Sequence, residues 1–322
     1  MKPTKIPPAL TLLLLAPTIA ELLSGSAPPS EFFNPMVFLL LASLYGSGAI
    51  VARELKIRWR KSYGSLLLFG AAYGILEEGL AVKSFFDPNW PDLGVLGVFG
   101  RWADVNWVWA EMLTIYHAVF SITIPVILAE LAYPERRETS WVSDRVLKVL
   151  IVALGAVTVF VFFVLTPYVP PWPQFLFTIF LMITLIFYAY KLPSNWGHEG
   201  SKKLPRPMFL WATVFLGTLA FFIIFWIGPH LTSPLIVMML GVLLVVGMAR
   251  FVKRFNWNPP SDLHQLALVS GALSFFIMIA PLQELDKTRT DNPVGMSLVG
   301  LAFSIGLVLF GRQIKRRMNS KN

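Results

Sequence analysis

The chain has 322 residues, of which 56% are hydrophobic and only 14% are charged, and its mean hydropathy is +0.65. This composition excludes an ordinary soluble globular protein and is typical of a polytopic helical membrane protein. The net charge of +9 does not indicate nucleic-acid binding, because Lys and Arg recur in short clusters between apolar runs. The absence of cysteine excludes disulfides, thiol catalysis and thiolate metal sites.

Long apolar runs predict ten membrane-spanning helices, and hence an all-α fold that forms one integral membrane domain over residues 1–322. These runs leave no room for a separate soluble domain. Their approximate bounds are 8–24, 34–52, 62–85, 106–131, 146–167, 174–191, 208–227, 230–249, 263–282 and 295–311.

The positions of the basic residues predict how the spans are oriented. All but four of the 27 Lys and Arg residues precede the first span, follow the second, fourth, sixth or eighth span, or follow the tenth. The exceptions are Lys83, Arg101, Lys287 and Arg289. By the positive-inside rule, both termini are cytoplasmic and the loop between the third and fourth spans faces outside, which favours the cell membrane as the location.

The first span has two interpretations. Lys2 and Lys5, a Leu-rich core and the sequence Pro-Thr-Ile-Ala are similar to a secretory signal peptide. Because Glu21 continues directly into Leu-Leu-Ser-Gly, an uncleaved first helix is the favoured interpretation. Removal of the segment would leave nine spans.

The third and fourth spans contain ionisable residues at membrane depth. Glu77 and Glu78 lie in the third span, and Glu111 and His117 lie in the fourth. A charge at the centre of a bilayer costs about 2.5–3.5 kcal/mol on insertion scales. Such residues therefore indicate a functional site.

Helix geometry predicts that Glu77, Glu78 and His117 can meet. The third span runs outward and the fourth runs inward, which places Glu77 about 12 Å and His117 roughly 15 Å below the same surface. Gly70 and Gly74 share faces with the two glutamates and allow a neighbouring helix to approach closely.

A carboxylate pair beside an imidazole is suited to acid–base chemistry. Two adjacent carboxylates away from water cannot both ionise cheaply, and a neighbouring imidazole can orient a water molecule or stabilise an oxyanion. The same groups equally describe a proton relay. A metal site is disfavoured, because the HExxH spacing is absent.

The tandem Glu77–Glu78, the basic Lys83 after it and His117 on the following helix resemble the glutamic intramembrane proteases of the CAAX-processing and bacteriocin-immunity (CPBP/Abi) family. The resemblance implies that the two glutamates activate water and that His117 assists. Lys83 follows Glu78 by five residues where the family has four, and the family's final His-x-x-x-Asn/Asp motif has no counterpart.

Four further residues are candidates for substrate binding: Glu111, Arg101, Lys83 and His230. Each also has an ordinary structural interpretation. Lys83 could extend its charge to the interface, Glu111 could pair with Arg101, and His230 follows a Gly-Pro pair that forms either a re-entrant turn or a plain interhelical turn.

Structural alternatives remain for the other polar residues. The two central glutamates could neutralise Lys83 and Arg101, and His117 could be a core histidine bonded to a hydroxyl group. Glu21 is expected at the interface, His198 in a solvated loop and His264 at an inner helix end. The segment LGVLGVFG before Arg101 could lie at the interface or re-enter the membrane.

Two functional classes follow from these residues. One is a glutamate-dependent intramembrane hydrolase acting on a membrane-embedded peptide or a small polar substrate. The other is a proton- or cation-coupled transporter that uses the same residues as a relay, and a scaffold without catalytic activity is a further alternative. No cofactor, no metal and no nucleic-acid partner is expected, and the lipid bilayer is the expected surrounding.

Overall fold

The computed structural model describes residues 6–197, 200–258 and 260–320. Lys2, Lys5 and His198, on which sequence interpretations were based, lie outside this part. In the described ranges, ten long helices follow one another along the chain. They are α1 (Pro8–Leu23), α2 (Pro35–Arg58), α3 (63–81), α4 (Trp107–Ala132), α5 (Asp144–Leu165), α6 (Trp172–Lys191), α7 (Pro207–Leu231), α8 (Pro234–Lys253), α9 (Asp262–Leu285) and α10 (Met296–Asn319).

Each predicted span coincides with one helix, so the all-α polytopic fold is confirmed. Eight helices in the described part are long and apolar enough to cross a membrane. The two others are α1, which is only 16 residues long by its bounds, and α3, whose mean hydropathy is lowered by Glu77 and Glu78. The two glutamates that define the candidate site therefore also weaken the apolar signal of their own helix.

Several predicted boundaries differ from the observed helix ends by four residues or more. Helix α2 continues to Arg58 rather than ending at 52, and α10 continues to Asn319 rather than 311, because Lys, Arg and Glu are good helix formers beyond the apolar core. Helix α3 ends at Ala81 rather than 85. Lys83, two residues later, has a φ of 63°, which a continuing right-handed helix does not allow.

The helices form an inner group and a lipid-facing group. In the apolar window of α4, 78% of residues are buried inside the protein, compared with 11% in each of α6 and α8 and 17% in each of α5 and α10. Helix α4 packs against α1, α2, α3 and α9. Side chains carried by α4 therefore face protein on most sides, which allows polar groups at this depth.

Two glycines bring α3 against α4. A Cβ atom on Gly70 would lie 2.8 Å from the Cα of Ala118, and one on Gly74 would lie 2.9 Å from the Cβ of His117. Real side chains do not tolerate such distances, so only glycine permits this approach. The predicted close packing of these two helices is thus present beside His117.

The connection from α3 to α4 is an ordered segment at the surface of the protein. Pro91–Gly97 forms a 3₁₀ turn, and strands β1 (Arg101–Trp102) and β2 (Val105–Asn106) form an antiparallel hairpin. The Asn106 side chain accepts a hydrogen bond from the backbone N–H of Trp109 at 3.0 Å and caps α4. Val98 is 85% exposed, which agrees with a position at the interface rather than re-entry.

Segments of π-helix occur in each of the first four helices, at the ends of α1 and α3 and within α2 and α4. They span Thr18–Leu23 in α1, Ala42–Gly46 in α2, Ile75–Ala81 in α3 and His117–Thr123 in α4. Such wider turns are rare and occur frequently at functional sites. Two further π-helical segments lie in α5 and α7.

Candidate functional site

Glu77, Glu78 and His117 meet in the interior of the protein. The Nε2 atom of His117 lies 2.9 Å from Oε2 of Glu77 and 3.1 Å from Oε1 of Glu78. The three residues are only 6%, 8% and 2% exposed. We refer to these three residues as the Glu–His centre; their convergence follows the predicted depths on α3 and α4.

The imidazole of His117 is fixed at both nitrogens. With Glu78 ionised, its Oε1 can only accept, and the Nε2–H group of His117 is then the donor of this hydrogen bond. The Nδ1 atom lies 2.8 Å from the hydroxyl oxygen of Ser121, one turn further along α4. The nearby Oε2 of Glu77 is buried and has no aligned donor in the described residues, so one lone pair in the centre remains unsatisfied.

Tyr45 of α2 provides a hydrogen-bond donor for Glu77. Its hydroxyl group donates to Oε1 of Glu77 at 3.0 Å, and its ring stacks on the imidazole of His117 with a centroid distance of 6.0 Å. The ring of Tyr73 lies 6.0 Å from the same imidazole. Its buried hydroxyl group has no hydrogen-bond partner in the described part of the chain. An unsatisfied acceptor and an unsatisfied hydroxyl therefore occur in one enclosed cluster.

A chain of hydrogen bonds through Ser84 and Trp109 holds the side chain of Glu78. The hydroxyl group of Ser84 donates to Oε2 of Glu78, and the indole Nε1 of Trp109 donates to the Ser84 oxygen at 2.9 Å. This chain of bonds links the end of α3 to the first turn of α4. Both oxygens of Glu78 consequently have donors, whereas Oε2 of Glu77 lies 2.9 Å from the imidazole nitrogen without an aligned hydrogen bond.

Glu21 is a further member that the sequence interpretation missed. It was expected at the interface, but the partly buried side chain lies within interaction distance of Tyr45, Glu77, Glu78 and His117. Glu21 lies away from its expected position because the π-helical segment Thr18–Leu23 alters the direction in which α1 presents its side chains. The feature of the sequence that could have revealed Glu21 was a charged residue inside an apolar segment.

The π-helical segments carry most of the polar side chains of this cluster. Glu21, Tyr45, the two glutamates, His117 and Ser121 all lie within such segments. Four successive helices thus widen where they contribute a polar group. This coincidence distinguishes the cluster from an incidental buried ion pair.

The Glu–His centre also has the spacing of a metal site. Glu77, Glu78 and His117 each offer one ligand atom, and these atoms lie within 4.8 Å of one another. Three such donors are chemically suited to a divalent ion. The sequence expectation of a metal-free site stays a prediction.

Lys83 does not join the centre. Its ammonium group donates to the carbonyl oxygens of Phe162, Thr166 and Tyr168 at 2.7, 2.6 and 2.8 Å. The residue is 1% exposed, and its three donors satisfy carbonyl groups at the end of α5. The geometry is that of a helix cap.

Arg101 and Glu111 do not form the pair that one sequence interpretation proposed. Arg101 donates through Nε and Nη1 to the carbonyls of Gly97 and Phe86, at 3.2 and 2.8 Å. Both carboxylate oxygens of Glu111 are buried without a hydrogen-bond partner in the described residues. Glu111 instead lines a separate cleft between α6 and α8.

His230 and His264 lie away from the centre. His230 is exposed within Gly228–Leu231, which continues α7 rather than forming a re-entrant turn. The ring of His264 lies 2.6 Å from the Ser261 hydroxyl oxygen and 2.9 Å from the Pro205 carbonyl oxygen, as expected of a structural histidine.

A second buried polar cluster lies at the predicted cytoplasmic ends of α2 and α4. Arg53 Nε lies 3.3 Å from Oε1 of Glu130, and Lys56 Nζ lies 2.9 Å from Oε2 of Glu130. Arg53 Nη1 also donates to Glu54 at 2.9 Å. The sequence interpretation treated the basic residues as part of a solvated loop and overlooked both glutamates. We call these four residues the cytoplasmic ion network.

The fold and the centre define a polytopic helical membrane protein with an enclosed glutamate–histidine cluster. The chain matches the model of an uncharacterized membrane protein family over residues 10–317 and belongs to that family. No curated protein and no solved structure matches the chain.

Proposed function

We propose that the protein is a glutamate-dependent intramembrane hydrolase of the cell membrane, in which the Glu–His centre binds and activates one water molecule. The observation that carries this proposal is the contact of His117 Nε2 with two adjacent carboxylates. Oε2 of Glu77, which lies near the imidazole without an aligned hydrogen bond, and the Tyr73 hydroxyl, which has no partner in the described residues, add to it, because buried unsatisfied groups commonly mark the position of an ordered water molecule or ion.

The residues have distinct chemical roles in this proposal. Oε2 of Glu77 accepts a proton from the water molecule as its oxygen attacks a carbonyl carbon. The Tyr73 hydroxyl donates to the oxyanion that forms on the substrate. His117, oriented by Ser121, keeps the two carboxylates in place, and the proton on Glu77 then passes to the leaving group.

Access from the bilayer supports a membrane-embedded substrate. The cleft between α6 and α8 has Ile75 and Thr114 among its lining residues. Thr114 lies three residues before His117 on α4, and Ile75 begins the π-helical segment that carries both glutamates. The cleft thus approaches the centre from the lipid side.

A proton- or cation-coupled transporter is the second candidate. Glu21 favours it, because a third carboxyl group close to the centre gives a relay an additional proton-binding or cation-binding position. The cytoplasmic ion network would then close one end of the pathway. Clusters of paired ionisable residues mark ion pathways in many membrane proteins.

The decisive experiment incubates the purified protein in liposomes with a pool of synthetic transmembrane peptides in ¹⁸O-labelled water. A hydrolase transfers ¹⁸O to new peptide carboxyl groups, and Glu77→Gln and His117→Ala abolish the transfer. Glu31→Gln removes an exposed acidic charge outside the centre and serves as the control.

The same liposomes, loaded with a pH-sensitive dye, test the transporter. Proton or cation flux that needs Glu21 and Glu77, without ¹⁸O transfer, would replace the hydrolase by the transporter. Retention of either activity in Glu77→Gln and His117→Ala would contradict the assignment of the Glu–His centre.

A further inference from the structure

A cavity of about 600 Å³ opens between α6 and α8, apart from the Glu–His centre. Helix α4 forms its floor with Glu111. Gln174 and Phe177 of α6 and Met238 and Val242 of α8 form its walls. Phe177 is 46% exposed and Val242 is 54% exposed. The cavity therefore opens sideways toward lipid.

The polar atoms without partners in this cavity are all hydrogen-bond acceptors. Both carboxylate oxygens of Glu111 and the side-chain oxygen of Gln174 are buried and have no partner in the described residues. The amide nitrogen of Gln174 donates to the carbonyl oxygen of Ala103 at 3.1 Å, which assigns the two ends of the amide group. An occupant that supplies several hydrogens is needed to satisfy these oxygens.

The residues that line the cavity favour an organic cation over a metal ion. A hard metal ion takes six or more oxygen ligands, whereas most of the lining is apolar and includes Phe85, Trp107 and Phe177. Aromatic faces and a carboxylate together attract an organic cation. An ammonium group provides three donors, and an apolar body attached to it would fill the remaining space.

We propose that this cleft binds a protonated amine with an apolar body, which enters from the half of the bilayer nearest the β1–β2 hairpin. The ammonium group donates to Glu111 and Gln174, and the apolar body packs among Phe177, Met238 and Val242. The site does not depend on the chemistry proposed for Glu77 and Glu78.

The test measures binding to the full-length protein in lipid nanodiscs by titration calorimetry. The probes are 4-phenylbutylamine and 4-phenyl-1-butanol, which share an apolar body and differ in the charged group. We expect the amine to bind more tightly than the alcohol, and Glu111→Gln to weaken amine binding by about tenfold or more, because a charge-assisted hydrogen bond becomes a neutral one.

Three further variants show whether the amine occupies the cleft itself or whether a substitution weakens binding from a distance. Ala110→Phe keeps the carboxylate but fills the cleft floor, where Ala110 is a lining residue, and should also weaken amine binding. Glu31→Gln and Glu77→Gln should bind like the parent protein. Thermal unfolding confirms that each variant is folded.

Equal binding of amine and alcohol would overturn the proposal. Parent-like amine binding by Glu111→Gln or by Ala110→Phe would also overturn it. Loss of amine binding in Glu77→Gln, with Glu111→Gln unaffected, would place the amine at the Glu–His centre and would likewise reject the cleft as the site.

Discussion

Arg53 and Glu130 form an ion pair although their side chains are only 0% and 1% exposed, with Nε and Oε1 3.3 Å apart. The pair joins α2 to α4 across 77 positions of the chain. Arg53 also donates through Nη2 to the carbonyl oxygen of Arg137 at 2.7 Å. Such a saturated arrangement compensates for the cost of desolvating both charges.

Glu130→Gln should therefore destabilise the protein strongly. The change leaves Arg53 and Lys56 buried beside a neutral group, and breaking a buried pair in this way costs about 3–5 kcal/mol. Thermal unfolding in detergent measures the effect. Glu135→Gln is the matched control, since it removes an exposed acidic charge five residues away and should change stability by less than about 0.5 kcal/mol. Equal effects of the two variants would contradict a stabilising role for the network.

In contrast to Glu130→Gln, glutamine substitutions in the Glu–His centre should change the stability of the protein little. Glu77→Gln and Glu78→Gln keep the shape of each side chain. The Glu77→Gln variant keeps an oxygen that can accept the bond from Tyr45, and the Glu78→Gln variant keeps one of the two oxygens that accept from Ser84 and His117. We expect stability within about 1 kcal/mol of the parent protein, together with loss of activity. Strong destabilisation that is rescued by neutralising His117 would show that the cluster holds α3 and α4 together instead.

Lys83→Met should loosen the end of α5. The change removes three hydrogen bonds to carbonyl oxygens, and each buried group left without a partner costs about 1–3 kcal/mol. Hydrogen exchange should rise for the last turn of α5 and its following loop. Lys287→Met, at an exposed position in the loop between α9 and α10, controls for loss of charge. Unchanged protection in Lys83→Met would leave substrate binding as its role.

The loop between α9 and α10 should carry a small acid-dependent contribution to stability. The hydrogen bond from Arg289 lowers the pKa of Asp291, and Arg289 also donates to the carbonyl oxygen of Gly25 at 2.7 Å. A lowered folded-state pKa stabilises the protein above the unfolded value near 3.9, and this gain is lost as pH falls through the folded-state pKa.

Asp291→Asn tests this contribution. The parent protein should be more stable than the variant at pH 7 by less than about 1 kcal/mol, since the pair is partly exposed. The difference in unfolding temperature should shrink as the pH is lowered below about 4. A difference that stays constant across this range would show that the charge of Asp291 does not contribute.

The orientation of the chain can be tested with single cysteines, because the native sequence has none. Ser201→Cys should be protected from an impermeant thiol reagent in intact cells, and Asn89→Cys should be labelled. Both positions are exposed. Gly94 is a poorer probe position, because its φ of 50° disfavours any residue with a side chain. Labelling with the reverse pattern would contradict cytoplasmic termini.

Helical periodicity and membrane depth were sufficient to predict that Glu77, Glu78 and His117 meet, because these residues lie on neighbouring helices with a glycine-lined contact. The same reasoning failed for Glu21, which required knowledge of the π-helical segment in α1. It also placed Lys83 near the outer end of the third span with its charge extended to the interface, whereas the residue lies beyond α3 with a φ of 63° and its ammonium group binds carbonyl oxygens at the end of α5.

Hydropathy windows fail where charges become buried at the membrane surface. The predicted end of the second span at 52 excluded Arg53, Glu54 and Lys56 from the helix, although α2 continues to Arg58. The local sequence gives no sign that Glu130 lies opposite these residues. That contact depends on how α2 and α4 cross, which is a property of the tertiary packing.

The π-helical segments make the centre sensitive to the number of residues in each helix. A π-helical turn accommodates one residue more than an α-helical turn in the same rise, so deletion of one residue restores ordinary helix on both sides. Such a deletion between His117 and Thr123 would leave the two halves of α4 close to their present orientation but would remove the wider turn that carries His117 and Ser121. Insertions and deletions of single residues in α1 to α4 are therefore expected to separate the family into subgroups with different centres more sharply than substitutions do.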